Sequence, residues 1–138
     1  MSGRLEGKVA VVTGAGAGMG KAIVERFVRE GAKVVAADIS GLQNEVAEAA
    51  GPNCVAFQVD VSKSAEVKAM LDLAVSRFGG LHVLCNNAGI QGGMMPTADY
   101  DEDTFDRVMA VNAKGVYLGM RHAIPIMLAG GGGSIVNT

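Results

Sequence analysis

Short apolar runs alternate with segments of helical periodicity along almost the whole chain. The apolar runs are typical of strands buried on both faces of a sheet, and they cover residues 8–12, 34–37, 54–57, 81–85 and 134–137. Between them, apolar side chains recur at spacings of three and four, which predicts amphipathic helices. These helices run from Met19 to a stop at Gly31, over 42–50, from an N-cap at Ser62 to Phe78, and over 101–128.

The regular alternation of strand and helix predicts βαβ units, a parallel sheet and right-handed crossovers. The expected fold is therefore α/β, a doubly wound Rossmann-type sheet with the strand order 3-2-1-4-5, and it occupies residues 1–138 as one domain. Ligands of such sheets bind beyond the carboxyl ends of the strands where the order reverses, which here is between the first and fourth strands. In the last helix we expect Phe105, Val108, Met109, Val116 and Met120 to face inward and Pro125 to kink the end.

A glycine-rich stretch joins the first strand to the first helix, and it reads Thr13-Gly14-Ala15-Gly16-Ala17-Gly18-Met19-Gly20. Gly14 suits a turn with positive φ, Gly18 lets the backbone approach a pyrophosphate, and Gly20 lets the helix pack closely. The helix beginning there would direct its free N–H groups and positive dipole end at the anion. The stretch predicts the phosphate-binding loop of a dinucleotide site.

Asp38 follows the second predicted strand and stands 18 residues beyond Gly20. An acidic residue at this place accepts hydrogen bonds from the 2′-OH of an adenosine ribose, whereas the alternative is a carboxylate that only complements a helix dipole. A carboxylate would repel a 2′-phosphate, and Ala15, Ala17 and Ile39 supply no cation to offset that repulsion. We therefore expect NAD in preference to NADP.

Three asparagines occupy unusual places. Asn86 and Asn87 end the fourth predicted strand, where their amides could simply bond to neighbouring backbone. Asn112 shares the spacing of Met109 and Val116, which predicts a place on the buried stripe of the long helix. Because an unpaired buried amide costs about 1 to 3 kcal/mol, Asn112 must have a partner. It is either a satisfied core amide or a site residue.

Composition narrows the classes of function. The chain has 138 residues, of which 49% are hydrophobic and 19% charged, as in a globular domain. A net charge of −2 gives no basic field for nucleic acid or an anionic membrane. No apolar leader or membrane span is visible, so a cytoplasmic protein is expected. Cys54 and Cys85 lie in apolar runs and are expected to be free thiols, and no Cys/His cluster suggests a metal site.

Taken together, these motifs resemble the short-chain dehydrogenase/reductase family, and the resemblance covers the whole chain. It rests on Thr13-Gly14-x3-Gly18-x-Gly20, Asp38, Asp60-Val61, Asn86-Asn87-Ala88-Gly89 and Asn112, in this order and at these distances. It implies that Asp60 and Val61 meet the adenine and that the backbone carbonyl of Asn112, the predicted catalytic residue, holds the water of a proton relay. The predicted cofactor contacts are Gly14, Ala17, Gly18, Met19, Asp38, Ile39, Asp60, Val61, Asn87, Ala88 and Gly89.

The family also has an active-site serine at the end of strand five and a Tyr-x-x-x-Lys motif on the next helix, which this sequence does not contain. Tyr100 and Tyr117 lack the lysine at i+4 that would lower a phenol pKa, and His82 and His122 are read as structural. We therefore expect the cofactor-binding part of an NAD-dependent oxidoreductase for secondary alcohols and ketones, truncated within strand five and inactive alone. The alternative is a non-catalytic dinucleotide-binding module.

The long predicted helix carries more alanine, valine and methionine than one sheet face would cover. In the family this helix packs against a partner subunit, so we expect a homo-oligomer, a dimer or tetramer, that associates through residues 101–128. The substrate would be a small alcohol or ketone, and residues 91–99, which are rich in glycine and methionine, would form one wall of its pocket.

Overall fold

A computed structural model describes residues 3–138 and contains five strands there. They form one parallel sheet in the order β3-β2-β1-β4-β5, which confirms the predicted topology. The strands are β1 (Val9–Thr13), β2 (Lys33–Asp38), β3 (Cys54–Gln58), β4 (Val83–Asn86) and β5 (Ser134–Asn137). The α-helices are α1 (Gly18–Arg29), α2 (Gln43–Ala50), α3 (Ser64–Phe78), α4 (Glu102–Met109) and α5 (Gly115–Ala129).

The central strand β1 supplies both faces of the core. Val11 lies opposite Val35 of β2 and Leu84 of β4, so the middle of the sheet is apolar in register. Alternate residues of a strand point to opposite faces. Val9 and Val11 therefore join a core built with α3 and α5, whereas Ala10 and Val12 join a second core built with α1 and α2. Both faces are covered by helices, which explains why this strand has no polar side of its own.

The long helix predicted over 101–128 is not regular. A π-helical turn, Ala110–Lys114, separates α4 from α5, and Gly115 N–H donates to the Ala110 carbonyl in the i→i+5 pattern. Phe105 and Met109 were expected to face inward, but they are 55% and 45% exposed. Their spacing does place them on one face of α4, yet no residue of α4 is fully buried, because little of the described chain covers that helix. Pro125 lies inside α5, which continues to Ala129.

Two local predictions are wrong. Helix α3 begins at Ser64 rather than just after Ser62, and its N-cap residue, Lys63, makes no capping bond through its side chain. The Ser62 hydroxyl instead donates to Asp60 Oδ1 at 2.6 Å. The fifth strand was expected to be buried, but Ile135 is only half-buried and Val136 is 48% exposed, because β5 pairs with β4 alone. Among residues 3–138, no helix is both long and apolar enough to cross a membrane.

Candidate functional site

A cleft of about 470 Å³ opens at the carboxyl ends of the strands, next to the turn from β1 into α1. This is the place where the strand order reverses, because β1 pairs with β2 on one side and β4 on the other. The cleft brings together most of the predicted cofactor contacts, namely Gly14, Ala17, Asp38, Ile39, Asp60, Val61, Asn87, Ala88 and Gly89. Gly18 and Met19 do not line it, and the Met19 side chain is 70% exposed at the start of α1.

The three motif glycines meet different local requirements. Gly14 and Gly18 have φ values of 65° and 55°, the left-handed conformation that favours glycine. A Cβ on Gly18 would meet no atom within 4 Å, so the backbone there is open to a ligand. A Cβ on Gly20 would collide with the Gly14 carbonyl oxygen and approach Asn87 Nδ2 to 2.8 Å. Gly20 is thus needed because α1 starts directly against the loop and the end of β4.

Thr13 fastens the Asn87-Ala88 backbone to the glycine-rich loop. Its hydroxyl oxygen accepts hydrogen bonds from Asn87 N–H at 3.0 Å and Ala88 N–H at 2.9 Å. The Asn87 side chain returns a bond from Nδ2 to the Thr13 carbonyl at 3.1 Å. The Thr13 side chain is buried, and these three hydrogen bonds are partly buried. This role of Thr13 was not predicted, although a threonine that ends an otherwise apolar strand is a detectable signal.

Asp38 is the last residue of β2 and is held by two backbone donors. Gly16 N–H donates to Oδ2 at 2.8 Å, and Ser40 N–H donates to Oδ1 at 3.0 Å. Partial burial acts to raise the pKa of the carboxyl, but the hydrogen bonds from Ser40 and Gly16 outweigh it and hold the pKa below its ordinary value. The side chain is therefore an oriented carboxylate at neutral pH, and it ties β2 to the glycine-rich loop.

Asp60 is oriented in a similar way by Ser62. The Ser62 hydroxyl and backbone N–H both donate to Asp60 Oδ1, at 2.6 and 2.9 Å. The hydroxyl contact is the main reason that the pKa of Asp60 lies below its ordinary value. Val61 follows as a nearly buried apolar surface of the cleft. One end of the cleft thus combines a fixed carboxylate with an aliphatic wall.

Asn112 lies on the π-helical turn and not on a buried stripe, so that prediction is wrong. Its expected need for a partner is met, because Ile90 N–H donates to Oδ1 at 2.8 Å and Nδ2 donates to the Ile90 carbonyl at 2.7 Å. The widened π turn changes the phase of the helix, and such turns are frequent at functional sites. Asn112 does not line the cleft itself, but it clamps Ile90, which does.

The other predicted asparagines end β4 with different partners. Asn86 is buried, and its Nδ2 donates to Asn137 Oδ1 of the neighbouring strand at 2.9 Å. The side-chain amide of Asn87 donates to the backbone carbonyl of Thr13. The two adjacent amides therefore join β4 to β5 on one side and to β1 on the other.

Several cleft residues were not among the predicted contacts, and they are Val59, Ser62, Ile90, Arg107, Ala110 and Val111. Arg107, Ala110 and Val111 follow the i, i+3, i+4 spacing of one helical face, which could have indicated a second wall. Among the residues of 3–138 that line the cleft, Arg107 is the one cation. The cleft therefore has one helical wall besides the ends of the strands.

The side chains of both tyrosines and both histidines form hydrogen bonds outside the cleft. The Tyr117 hydroxyl accepts from Arg121 Nη1 at 3.3 Å, and the Tyr100 hydroxyl accepts from Gly93 N–H at 3.4 Å. His82 Nδ1 accepts from Val9 N–H at 2.9 Å, and His122 Nε2 shares a hydrogen bond of 2.8 Å with the Ser64 hydroxyl. None of these four side chains lines the cleft described here.

Comparison with known proteins places this arrangement in a family. The short chain dehydrogenase model matches residues 8–138. Sex determination protein tasselseed-2 of Zea mays is 46% identical over 99% of this chain and 43% of its own length. A 3-alpha-(or 20-beta)-hydroxysteroid dehydrogenase of Mycobacterium tuberculosis is 44% identical over 99% of this chain and 53% of its own.

A solved structure has the same fold as well as a similar sequence. The 3-ketoacyl-(acyl-carrier-protein) reductase from Brucella melitensis, complexed with NADH, superposes with a TM-score of 0.89 and is 42% identical. That alignment covers 92% of this chain and 53% of the reductase. The chain thus spans about half the length of the relatives it matches. With the family model, the topology and the arrangement of the cleft in agreement, the chain belongs to the short-chain dehydrogenase family of oxidoreductases.

Proposed function

We propose that this chain binds NAD(H) and forms the cofactor-binding part of an oxidoreductase that interconverts a secondary alcohol and a ketone. The observation that carries the proposal is the Asp38 carboxylate, which is fixed at the end of β2 by the N–H groups of Gly16 and Ser40. An ionised acceptor beside a glycine-rich turn is the arrangement that binds the 2′-OH of an adenosine ribose. The NADH complex of the Brucella melitensis reductase supports the same reading.

The residues of the cleft suit a dinucleotide. The open space above Gly18 and the uncapped start of α1 would receive the pyrophosphate, because no side chain caps the first turn. Asp60 and Val61 would hold the adenine, and Ala88 and Gly89 would line the path toward the nicotinamide. When bound, the nicotinamide supplies hydride transfer. The protein residues orient the dinucleotide along the cleft.

Asn112 would contribute to proton transfer through its position. By the family resemblance, its backbone carbonyl holds a water molecule that relays a proton. Two hydrogen bonds between its side chain and Ile90 fix the turn that carries this carbonyl. Replacing Asn112 with leucine removes both bonds, and we expect kcat to fall more than the affinity for NADH. Equal losses in the two quantities would contradict the relay role.

NAD should be preferred to NADP because Asp38 would repel a 2′-phosphate. Arg107 is a cation in the same cleft, so matched variants separate its effect on the choice between NAD and NADP from the effect of Asp38. Asp38→Ala should reduce the ratio of NADPH to NADH dissociation constants, whereas Arg107→Met should leave that ratio unchanged. Calorimetric titration of the full-length protein measures both. An unchanged ratio in Asp38→Ala would remove Asp38 from the ribose site.

The substrate class we propose is an apolar alcohol or ketone, such as a ring compound. Residues 91–96 follow the cleft segment Ala88–Ile90 and carry Met94 and Met95, which are 88% and 48% exposed. Methionine side chains adapt to apolar ligands of irregular shape. The Mycobacterium tuberculosis relative is named a hydroxysteroid dehydrogenase, which agrees with an apolar wall.

Turnover distinguishes this function from a non-catalytic dinucleotide-binding module. We expect the full-length protein to form NADH when supplied with NAD and cyclohexanol, and a polypeptide ending at Thr138 to show no activity above background. Loss of an acid/base group alone typically costs about 10² to 10⁴ in rate. Tight NADH binding by the full-length protein without turnover of cyclic or acyclic secondary alcohols would favour the binding module.

We also propose that the protein is a homo-oligomer that associates through residues 101–128. Exposed apolar side chains lie along this segment, and Tyr117, Ile124 and Leu128 share one face of α5 by their spacing. Leu128→Glu should reduce the molar mass measured by light scattering after size exclusion. The control is Val75→Glu, a partly exposed position on α3. A wild-type monomer would contradict this proposal.

A further inference from the structure

We propose that Tyr100 is a positioning residue that sets substrate specificity by bracing the methionine loop, defined here as residues 91–96. This inference rests on the proposed function, because it assigns the loop to the substrate pocket. The loop begins beside Ile90, which Asn112 clamps on the cleft side. The Tyr100 side chain contacts the loop further along, at Gly92 and Gly93.

The contact between Tyr100 and the loop is close. The Tyr100 hydroxyl oxygen accepts a hydrogen bond from Gly93 N–H at 3.4 Å. Gly92 has a φ of +80°, and a Cβ there would collide with the Tyr100 hydroxyl and approach Val108 Cγ2 to 2.7 Å. The loop backbone thus rests directly on the phenol and on the side of α4. Only a glycine fits at this point of the loop.

Tyr100 is itself held in place by the start of α4. The next residue, Asp101, is the N-cap of that helix, and its Oδ1 accepts from Thr104 N–H at 2.7 Å. Asp101 Oδ2 also accepts from the Thr104 hydroxyl at 2.7 Å. A doubly bonded cap fixes the entry of the chain into the helix. The backbone that carries the phenol is therefore fixed at the start of α4.

The braced segment carries the exposed apolar groups that would meet the substrate. Met94 and Met95 follow Gly93 directly, and a Cβ on Gly93 would lie 3.4 Å from Met95 Cε. A shift of the backbone at residues 92–93 would therefore move both methionines. Ligands long enough to reach the loop should be affected, whereas small alcohols and the dinucleotide should not.

The test compares Tyr100→Phe with Tyr117→Phe, a matched loss of a phenol hydroxyl whose hydrogen-bond partner among residues 3–138 is Arg121 on the same helix. Amide hydrogen exchange of residues 91–95 should become faster in Tyr100→Phe and stay at the wild-type rate in Tyr117→Phe. Because one hydrogen bond is lost, the KM for cyclohexanol should rise about threefold to tenfold in Tyr100→Phe. The kcat, the NADH dissociation constant and the KM for propan-2-ol should stay at wild-type values. Gly92→Ala should raise the cyclohexanol KM at least as much.

The outcomes separate this inference from the proposed function. Equal exchange rates in Tyr100→Phe and wild type would overturn the brace, and so would a KM change that appears equally for propan-2-ol or is matched by Tyr117→Phe. If the wild-type protein oxidises no secondary alcohol, the proposed function fails. The support that Tyr100 gives to the loop is then tested by the exchange rates alone.

Discussion

Replacing Thr13 with valine tests how the two halves of the cleft are joined. Threonine and valine side chains have nearly the same shape, so the variant replaces the hydroxyl with a methyl group and changes the packing of β1 little. The Ala88 N–H then loses the acceptor that it reaches at 2.9 Å, whereas the Asn87 N–H keeps a second acceptor, the Cys85 carbonyl at 3.0 Å. The effect should therefore report one unpaired donor and the loss of two further hydrogen bonds of the hydroxyl, from Asn87 N–H and to the Cys85 carbonyl.

The magnitude follows from the burial of those donors. A buried polar group left without a partner costs about 1 to 3 kcal/mol, and the Ala88 N–H is only partly buried, so about 1 kcal/mol applies to it. Loss of the other two hydrogen bonds of the hydroxyl adds about 0.5 kcal/mol each, so the expected loss in the free energy of unfolding is about 2 kcal/mol. This is a large share of the roughly 5 to 15 kcal/mol that is typical of folded proteins. The affinity for NADH should also fall, because Ala88 lines the cleft.

Urea denaturation of the full-length protein, followed by circular dichroism, measures the loss. Thr13→Ser is the matched control, because it retains the hydroxyl and removes only a methyl group, at a cost of about 1 kcal/mol. A loss in Thr13→Val no larger than in Thr13→Ser would contradict this role of the hydroxyl.

Further predictions concern the glycines, the thiols and the response to acid. Gly20→Ala should strongly lower the melting temperature because its Cβ collides with backbone, whereas Gly18→Ala should cost only about 1 to 2 kcal/mol and mainly weaken NADH binding. Burial raises the pKa of the Cys54 thiol to about 11 and also raises that of Cys85, so Ellman's reagent at mildly alkaline pH should react with both only after unfolding. Because the pKa of Asp38 is lower in the folded than in the unfolded state, its stabilisation is present above about pH 4 and is lost as the pH falls through the folded-state value. Urea midpoints measured across this range should fall less in Asp38→Asn than in wild type.

Most of the fold could be predicted because its signals are local. The apolar run of β1, the positive-φ turn at Gly14 and the end of α1 at Gly31 depend on neighbouring residues and on backbone geometry. Strand order then follows from general rules of handedness and connection. Asp38 reaches the cleft because it ends a strand, and parallel strands end at the same edge of the sheet.

The errors arise where burial depends on distant parts of the molecule. Helical spacing shows that Phe105 and Met109 share a face of α4, but it cannot show whether anything covers that face. Asn112 was misplaced because a π turn changes the helical phase, and the sequence carries no simple signal for such a turn. Arg107 was missed as a cleft residue because its place depends on where α4 lies relative to the ends of the strands.

Equilibrium titration of the full-length wild-type protein with NADH and NADPH tests the central claim most directly. NADH should bind more tightly by at least about 1.4 kcal/mol, a factor of ten in the dissociation constant, because the Asp38 carboxylate is fixed where the adenosine ribose would lie. Equal affinities, tighter binding of NADPH, or no binding of either dinucleotide would contradict it.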